Sequence, residues 1–137
     1  MALQASLAST TLVLVLLGCG MSNAEPLAGS EWKPACLQGR GLSADVTAFI
    51  QFRGNGRLLG HGGCNRLFGE YRLDGQQIRI GPLSSTRKAC DPEIMQHERA
   101  LIETLQQTRS FQRARTRLVL FGDEGFPLLD LRQTDWD

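Results

Sequence analysis

Alternating apolar and polar residues in the middle of the chain predict two antiparallel β-hairpins. Residues 46–52 carry an apolar side chain at every second position, which is typical of a strand buried on one face. A turn with two glycines at residues 54–56 separates this strand from a returning arm over residues 57–60. A second hairpin follows, with arms over residues 69–74 and 77–80 joined at an Asp-Gly turn.

One segment has the spacing of a helix instead. Asp91 suits the N-cap and Pro92 suits the first helical position, and apolar residues then recur at helical spacing. The apolar stripe consists of Ile94, Leu101 and Leu105. The charged residues expected mainly on the other faces are Glu93, Glu98, Arg99 and Glu103. The pattern predicts a helix that ends near Thr108, with His97 as a half-exposed surface residue.

The remaining segments complete a mainly β domain of the α+β class. A first strand is expected over residues 27–32, followed by a loop over residues 34–43 that contains Cys36. Three short strands are expected after the helix, over residues 110–113, 117–121 and 127–131. A chain of 137 residues has room for one hydrophobic core.

Four residues, Gly62-Gly63-Cys64-Asn65, lie between the two hairpins. Glycine tolerates positive φ and close approach of another group to the backbone. Asparagine tolerates the left-handed region and can bond to its own backbone. We therefore expect a forced turn or bulge here, with Cys64 inside it.

The N-terminal segment has the features of an export signal. Residues 1–18 carry no charged side chain, and residues 12–17 form a continuous apolar run. This run is too short for a transmembrane helix, which needs about 20 apolar residues, and it matches the apolar region of a signal peptide. The end of the run, Leu16-Leu17-Gly18-Cys19, resembles the lipobox of bacterial lipoproteins. That resemblance implies an acylated Cys19, and Gly20 after it implies an outer-membrane lipoprotein that faces the periplasm.

The alternative processing site lies after Ala24, where cleavage would leave a soluble periplasmic protein. With the lipobox, the chain divides into a signal peptide over residues 1–18 and a tether over residues 19–26. The folded domain is then expected over residues 27–132, with a C-terminal tail over residues 133–137.

Several segments together resemble the META domain family, also called the HslJ-like family. They are Leu27-Ala28-Gly29-Ser30-Glu31-Trp32, the segment Gly60-His61-Gly62-Gly63-Cys64-Asn65-Arg66-Leu67-Phe68-Gly69-Glu70-Tyr71, the segment Leu83-Ser84-Ser85-Thr86-Arg87-Lys88-Ala89-Cys90, the helix with Glu98 and Leu105, and Arg117-Leu118-Val119-Leu120. The Gly-Cys-Asn core and the Thr-x-x-x-Cys segment, at this separation, are specific to that family. The resemblance covers roughly residues 27–131.

The resemblance implies a strongly curved antiparallel sheet that forms an incomplete barrel with one packed α-helix. It also implies an envelope protein or lipoprotein linked to heat or antibiotic stress, with no enzymatic activity, and we expect no cofactor. The fold is similar to that of secretin-pilot lipoproteins, whose cleft takes acyl chains. By analogy we expect an apolar cleft between helix and sheet, lined by Phe52, Leu67, Ile94 and Leu101. The alternative is that these side chains fill the core.

Processing would remove or acylate Cys19 and leave three cysteines, Cys36, Cys64 and Cys90. Cys64 and Cys90 both lie in the segments that carry the family resemblance, so we expect a disulfide between them. Cys36 lies outside the shared pattern and is expected to stay single.

Three classes of function remain open at this point. The first is a non-enzymatic envelope lipoprotein that contacts the membrane through Cys19 and binds an envelope protein or an apolar ligand. The second is a soluble periplasmic protein with a metal site, drawn from Cys36, His61, Cys64, Cys90 and His97, whose residue types suit Zn²⁺. The third is an enzyme with Cys64 as nucleophile and His61 or His97 as base.

Charge adds two further points. The formal net charge of +1 gives no indication of a nucleic-acid partner. Four arginines lie near the predicted strand pair after the helix, namely Arg109, Arg113, Arg115 and Arg117. They are interpreted either as solvated arginines that discourage sheet-to-sheet pairing or as a patch for phosphate or lipid headgroups.

Overall fold

The structure is a computed structural model and describes residues 26–42 and 46–134. The predicted signal peptide, Cys19, the Ala24 cleavage site and most of the predicted tether lie outside the described residues, as do residues 135–137 of the predicted tail.

The described residues form ten strands and one helix. In chain order they are β1 (Ser30–Leu37), β2 (Arg40–Gly41), β3 (Phe49–Phe52), β4 (Arg57–His61), β5 (Arg66–Asp74), β6 (Gln77–Ile80), β7 (Ser84–Ser85), α1 (Pro92–Gln107), β8 (Ser110–Ala114), β9 (Arg117–Phe121) and β10 (Pro127–Gln133). The two hairpins, the helix and the closing strands therefore fall where their patterns predict. The short strands β2 and β7 were not predicted, and β5 begins before the predicted start at residue 69.

Eight of these strands close into an antiparallel barrel. The series β1, β3, β4, β5, β6, β8, β9 and β10 is hydrogen-bonded from neighbour to neighbour, and β10 pairs back with β1. β2 and β7 extend this sheet by pairing with β1 and β5. The general class is as predicted, but the prediction of an incomplete barrel is wrong.

Closure depends on the length of β1. Its first residues pair with β3, with Trp32 opposite Ile50, and its later residues pair with β10, with Leu37 opposite Leu129. The prediction of a loop from Pro34 onward is therefore wrong for residues 34–37, which form the second half of β1. The register against β10 shifts between Pro34 and Cys36, and a bulge is one of the few sheet positions that accept a proline.

The core fills the barrel interior and the side of α1 that faces it. Its largest fully buried side chains are Trp32, Phe52, Leu27, Ile50, Leu58, Leu67, Ile78, Leu105, Leu118, Leu120, Leu129 and Leu131. Pro92 begins the helix after the N-cap residue Asp91, as predicted. Within the described part of the chain, no helix is both long enough and apolar enough to span a bilayer.

Candidate functional site

The Gly62–Asn65 turn lies between β4 and β5, under α1. The Gly62 N–H donates to the Asn65 carbonyl at 2.9 Å, and the Gly63 N–H donates to His61 Nδ1 at 3.1 Å. Gly63 has a φ of +112°, and a Cβ on Gly62 would stand 2.4 Å from Glu98 Cγ. The two glycines therefore provide the backbone conformation and the space that let the helix approach this turn.

Glu98 is the helix residue that enters this space. It is 6% exposed, and its Oε2 accepts hydrogen bonds from the backbone N–H groups of Cys64 at 3.0 Å and Asn65 at 2.5 Å. Its Oε1 accepts from Asn65 Nδ2 at 2.7 Å. Three donors thus satisfy a carboxylate whose burial without partners would be costly. The prediction that Glu98 lies on an outer face is wrong, because this turn provides a buried polar environment.

Asn65 carries the same network across to the segment before the helix. Its Oδ1 accepts from Thr86 Oγ1 at 2.9 Å and from the Lys88 N–H at 2.6 Å. Thr86 Oγ1 in turn accepts from the Arg66 N–H at 3.1 Å. One buried side chain therefore connects β5, the segment that leads to α1, and α1 itself through Glu98.

A disulfide joins the same two segments covalently. Cys64 and Cys90 are bonded, with their Cα atoms 6.0 Å apart, which confirms the predicted pair. Cys36 is free and half-buried, as predicted, although it lies in strand β1 rather than in a loop. We use the name "helix latch" for the set of Cys64, Asn65, Cys90 and Glu98.

The disulfide argues against both the cysteine-dependent enzyme and the metal site. A cysteine in a disulfide has no thiolate to attack a substrate or bind a metal, so Cys64 cannot act as a nucleophile in this state. For the same reason, Cys64 and Cys90 cannot be metal ligands, and only Cys36, His61 and His97 remain of the predicted metal-binding residues. Across residues 26–42 and 46–134, no group of three or more His, Cys, Asp or Glu side chains is arranged to hold a metal ion.

The predicted apolar cleft is not formed by its four residues. Phe52, Leu67 and Leu101 are at most 3% exposed and belong to the core, whereas Ile94 is 38% exposed. The alternative of core packing is therefore correct for three of them. Barrel closure explains the difference, because side chains that would line the mouth of an open sheet pack against the opposite strands instead.

Ile94 lines a separate groove at the helix end of the barrel. The groove has a volume of about 290 Å³ and is lined by Val46, Thr47, Gly62, Gly63, Glu93, Ile94 and His97. Its floor is the glycine turn, and its wall is the first two turns of α1. The groove therefore depends on the helix latch for its shape.

The arginines near β8 and β9 mostly bind groups of the protein itself. Arg117 and Arg132 both donate to Asp130, at 2.8 and 2.5 Å, and the hydrogen bond from Arg117 is the main cause that lowers the pKa of Asp130. The Arg113 guanidinium lies 5.0 Å from the centroid of the Trp32 ring. Arg109 forms an ion pair with Asp123 at 3.5 Å. These separate partners disfavour a shared phosphate site.

The Glu98–Asn65 contact is the feature that the sequence analysis missed. A signal for it exists, because Glu98 lies four residues after Ile94 and three before Leu101, which places it on the same helical stripe. A carboxylate at that position needs a partner with several donors, and a glycine-rich turn that ends in asparagine can supply them.

The fold matches solved structures that have low sequence identity to this chain. One is a protein from Burkholderia xenovorans solved by NMR, with a TM-score of 0.68, 20% identity, and coverage of 93% of this chain and 97% of that chain. Another is a DUF4847 family protein from Bacteroides vulgatus, solved by crystallography, with a TM-score of 0.65, 14% identity, and coverage of 81% and 96%. At these identities the matches show a shared fold. Comparison with curated proteins finds no match.

The sequence model of the META domain matches residues 25–135, which is most of the chain. The match covers the glycine-cysteine turn, the helix latch and every strand of the barrel. It therefore confirms the resemblance given by the sequence segments. The chain belongs to the META domain family.

Proposed function

We propose that this protein is a non-enzymatic envelope lipoprotein. In this proposal, acylated Cys19 holds it at the outer membrane, on the periplasmic side, and its META domain is a binding or structural module with a role under stress. The META family match supports an envelope or stress-related role. The observation that carries the proposal is the Cys64–Cys90 disulfide.

The disulfide supports export independently of the N-terminal segment. Structural disulfides form and persist in oxidising compartments such as the bacterial periplasm and are rare in the cytosol. The bridge lies between two segments that are also joined by hydrogen bonds of Asn65 and Glu98, so it reinforces a contact that these hydrogen bonds also make. A domain stabilised in this way suits a compartment outside the cytosol.

The form of attachment rests on the Leu16-Leu17-Gly18-Cys19 segment. Each buried CH₂ of an acyl chain contributes about 0.8 kcal/mol to membrane binding, and two or more chains anchor a protein stably. Seven residues then lead from Cys19 to Pro26, the first residue of the described domain. The domain would stay close to the bilayer surface.

The binding role rests on the groove beside the helix latch. Val46 and Ile94 are its apolar lining residues, and Glu93 and His97, one helical turn apart, are its ionisable ones. The disulfide also leaves Cys64 without a thiolate. A small ligand or a peptide segment of an envelope partner fits this groove better than a reaction centre does.

Cell fractionation tests the anchor. The wild type and the matched control Cys36→Ser should be found in the outer-membrane fraction, with acyl chains on Cys19 in the N-terminal peptide by mass spectrometry. Cys19→Ser should lose the acyl chains and the outer-membrane location. A soluble wild-type protein that begins at Glu25 would establish cleavage after Ala24 and refute the lipid anchor.

A further inference from the structure

One part of the barrel exterior combines apolar and basic side chains. Adjacent strands β3, β4 and β5 place Leu59 opposite Phe68 and Phe49 opposite His61. The outward-facing apolar members are Phe49, Leu59 and Phe68, and Phe68 is 40% exposed. Together with Arg57 and Arg66 they surround a depression of about 510 Å³. We call these five residues the β3–β5 patch.

The arginines of this patch differ from those near β8 and β9. Within the described residues, the Arg57 and Arg66 side chains have no hydrogen bond or ion pair, whereas Arg109, Arg117 and Arg132 are all paired with aspartates. Two carboxylates border the patch: Glu70 lies opposite Arg57 in the sheet, and Glu31 accepts from Gln51, which lines the same depression. Arg53 also donates to Gln51, at 3.2 Å, so three arginines stand against two carboxylates around this depression.

The start of the domain lies at one end of the barrel. The Gly29 N–H donates to the Phe52 carbonyl at 2.5 Å, and the Pro26 carbonyl accepts a hydrogen bond from Arg113 of β8, so the chain enters at the Phe52 end of β3. Seven residues from Cys19 to Pro26 reach at most about 25 Å when fully extended. A domain of this size is about 30–35 Å across, as follows from a radius of gyration of about 13 Å. A chain anchored at Cys19 would therefore keep the domain in contact range of the bilayer.

From these observations we infer that the β3–β5 patch is a docking surface for the anionic bilayer to which the protein is anchored. Aromatic and aliphatic side chains can enter the interface between headgroups and acyl chains, while the arginines contact lipid phosphates. The inference rests on the proposed function for its tether. The tether raises the effective concentration of bilayer at the patch, so a weak contact is enough to orient the domain. The groove beside the helix latch would then have a defined position relative to the membrane.

Vesicle binding tests the patch without the lipid anchor. The probe is the exported Cys19→Ser chain, recovered from the soluble fraction and mixed with phosphatidylcholine vesicles with or without phosphatidylglycerol. We expect binding only to the anionic vesicles, and it should weaken as salt is raised. Arg66→Gln should lower the vesicle partition constant roughly fivefold, the change expected for one basic residue near an anionic surface. Phe68→Gln should reduce it severalfold.

Two matched variants control for charge and aromatic content. Arg40→Gln removes another exposed arginine, and Phe126→Gln removes a phenylalanine that is 63% exposed in the turn before β10. Both should bind vesicles like the parent. Equal losses in the controls, or equal binding to neutral vesicles, would overturn the inference.

A photoreactive phenylalanine analogue at position 68 of the acylated protein separates a lipid from a protein partner. Adducts with phospholipid are expected, and adducts with an envelope protein alone would reassign the patch. The vesicle experiment and the fractionation experiment fail independently. If Cys19 is acylated but the soluble chain does not bind anionic vesicles, only the docking surface is refuted. If Cys19 carries no acyl chain, the lipid anchor is refuted, and the vesicle result still decides whether the patch binds lipid.

Discussion

The two ends of the β3–β4 hairpin are held by different kinds of interaction. At the hairpin turn, Phe52 and Tyr71 pack edge to face with their ring centroids 5.2 Å apart, and the Tyr71 hydroxyl donates to the Arg53 carbonyl at 2.5 Å. At the other end, a disulfide and a buried carboxylate hold the helix to the glycine turn. Apolar burial dominates the first end, and polar and covalent bonds dominate the second.

The composition of α1 explains the difference. Only four of its sixteen residues are buried, and just two of these, Leu101 and Leu105, are apolar. The other two are Glu98 and Thr104. A helix with so little buried apolar area gains little from the hydrophobic effect. The helix latch supplies the remaining attachment, so the position of the helix depends on oxidation and on the Glu98 carboxylate.

The largest effect is expected at the hairpin end. Phe52→Ala removes a fully buried ring and should lower the free energy of unfolding by about 3–5 kcal/mol. The control Phe126→Ala removes a mostly exposed ring and should change it by no more than about 0.5 kcal/mol. Urea unfolding measures both. Similar losses for the two variants would contradict the burial of Phe52.

Removal of the disulfide should have the next largest effect. The bridge joins residues 26 positions apart, for which the loss of unfolded-chain entropy corresponds to about 3.5 kcal/mol. Cys64→Ala, Cys90→Ala and the double variant should therefore be destabilised to a similar extent, and Cys36→Ala much less. Hydrogen exchange should rise more in α1 than in β3–β5. An equal rise in both regions would mean that the bridge does not act locally on the helix.

Local patterns account for what could be predicted from the sequence. The helix bounds follow from Asp91, Pro92 and the spacing of the leucines, and the hairpins follow from alternation around glycine turns. These signals lie within a few residues of the element that they define. The disulfide required more, since its pairing came from resemblance to a family rather than from spacing.

Barrel closure and the helix latch could not be predicted in the same way. Closure depends on pairing between β1 and β10, which are about 100 residues apart in sequence, and on a bulge that accommodates Pro34. Glu98 has the polarity of a surface residue, and only the donors at residues 64 and 65 make its burial favourable. In both features the partners lie in distant segments, so a one-dimensional pattern can place Glu98 on the apolar stripe but cannot identify the groups that bind it.

Glu98→Gln tests the charged part of the helix latch. The amide retains one acceptor oxygen, but its NH₂ group would face Asn65 Nδ2, which is also a donor. We expect a loss of about 1.5–3 kcal/mol, the range for hydrogen bonds to charged groups. The control Glu103→Gln changes an exposed residue of the same helix and should have little effect. Equal stability of the two variants in urea unfolding would show that the negative charge of Glu98 is unimportant.

Tyr71→Phe should have the smallest effect on the free energy of unfolding. It tests how much one neutral hydrogen bond contributes at the hairpin-turn end. The variant keeps the ring contact with Phe52 and loses one hydrogen bond, so we expect a loss of about 1 kcal/mol at neutral pH. Burial raises the pKa of Tyr71 in the folded protein. Above a pH of about 10, an unfolded chain releases this proton while the folded chain retains it, so the wild type loses stability as the pH rises.

Tyr71→Phe has no phenolic proton to titrate. The difference in the free energy of unfolding between the wild type and Tyr71→Phe should therefore narrow above a pH of about 10. Because Tyr71 is the single tyrosine of the chain, tyrosinate absorbance reports its titration directly. We expect native protein to titrate at a higher pH than protein unfolded in urea. Coincident titration curves would show that the hydroxyl is not buried. The Tyr71 hydrogen bond would then stabilise the hairpin end less than Glu98 stabilises the helix end.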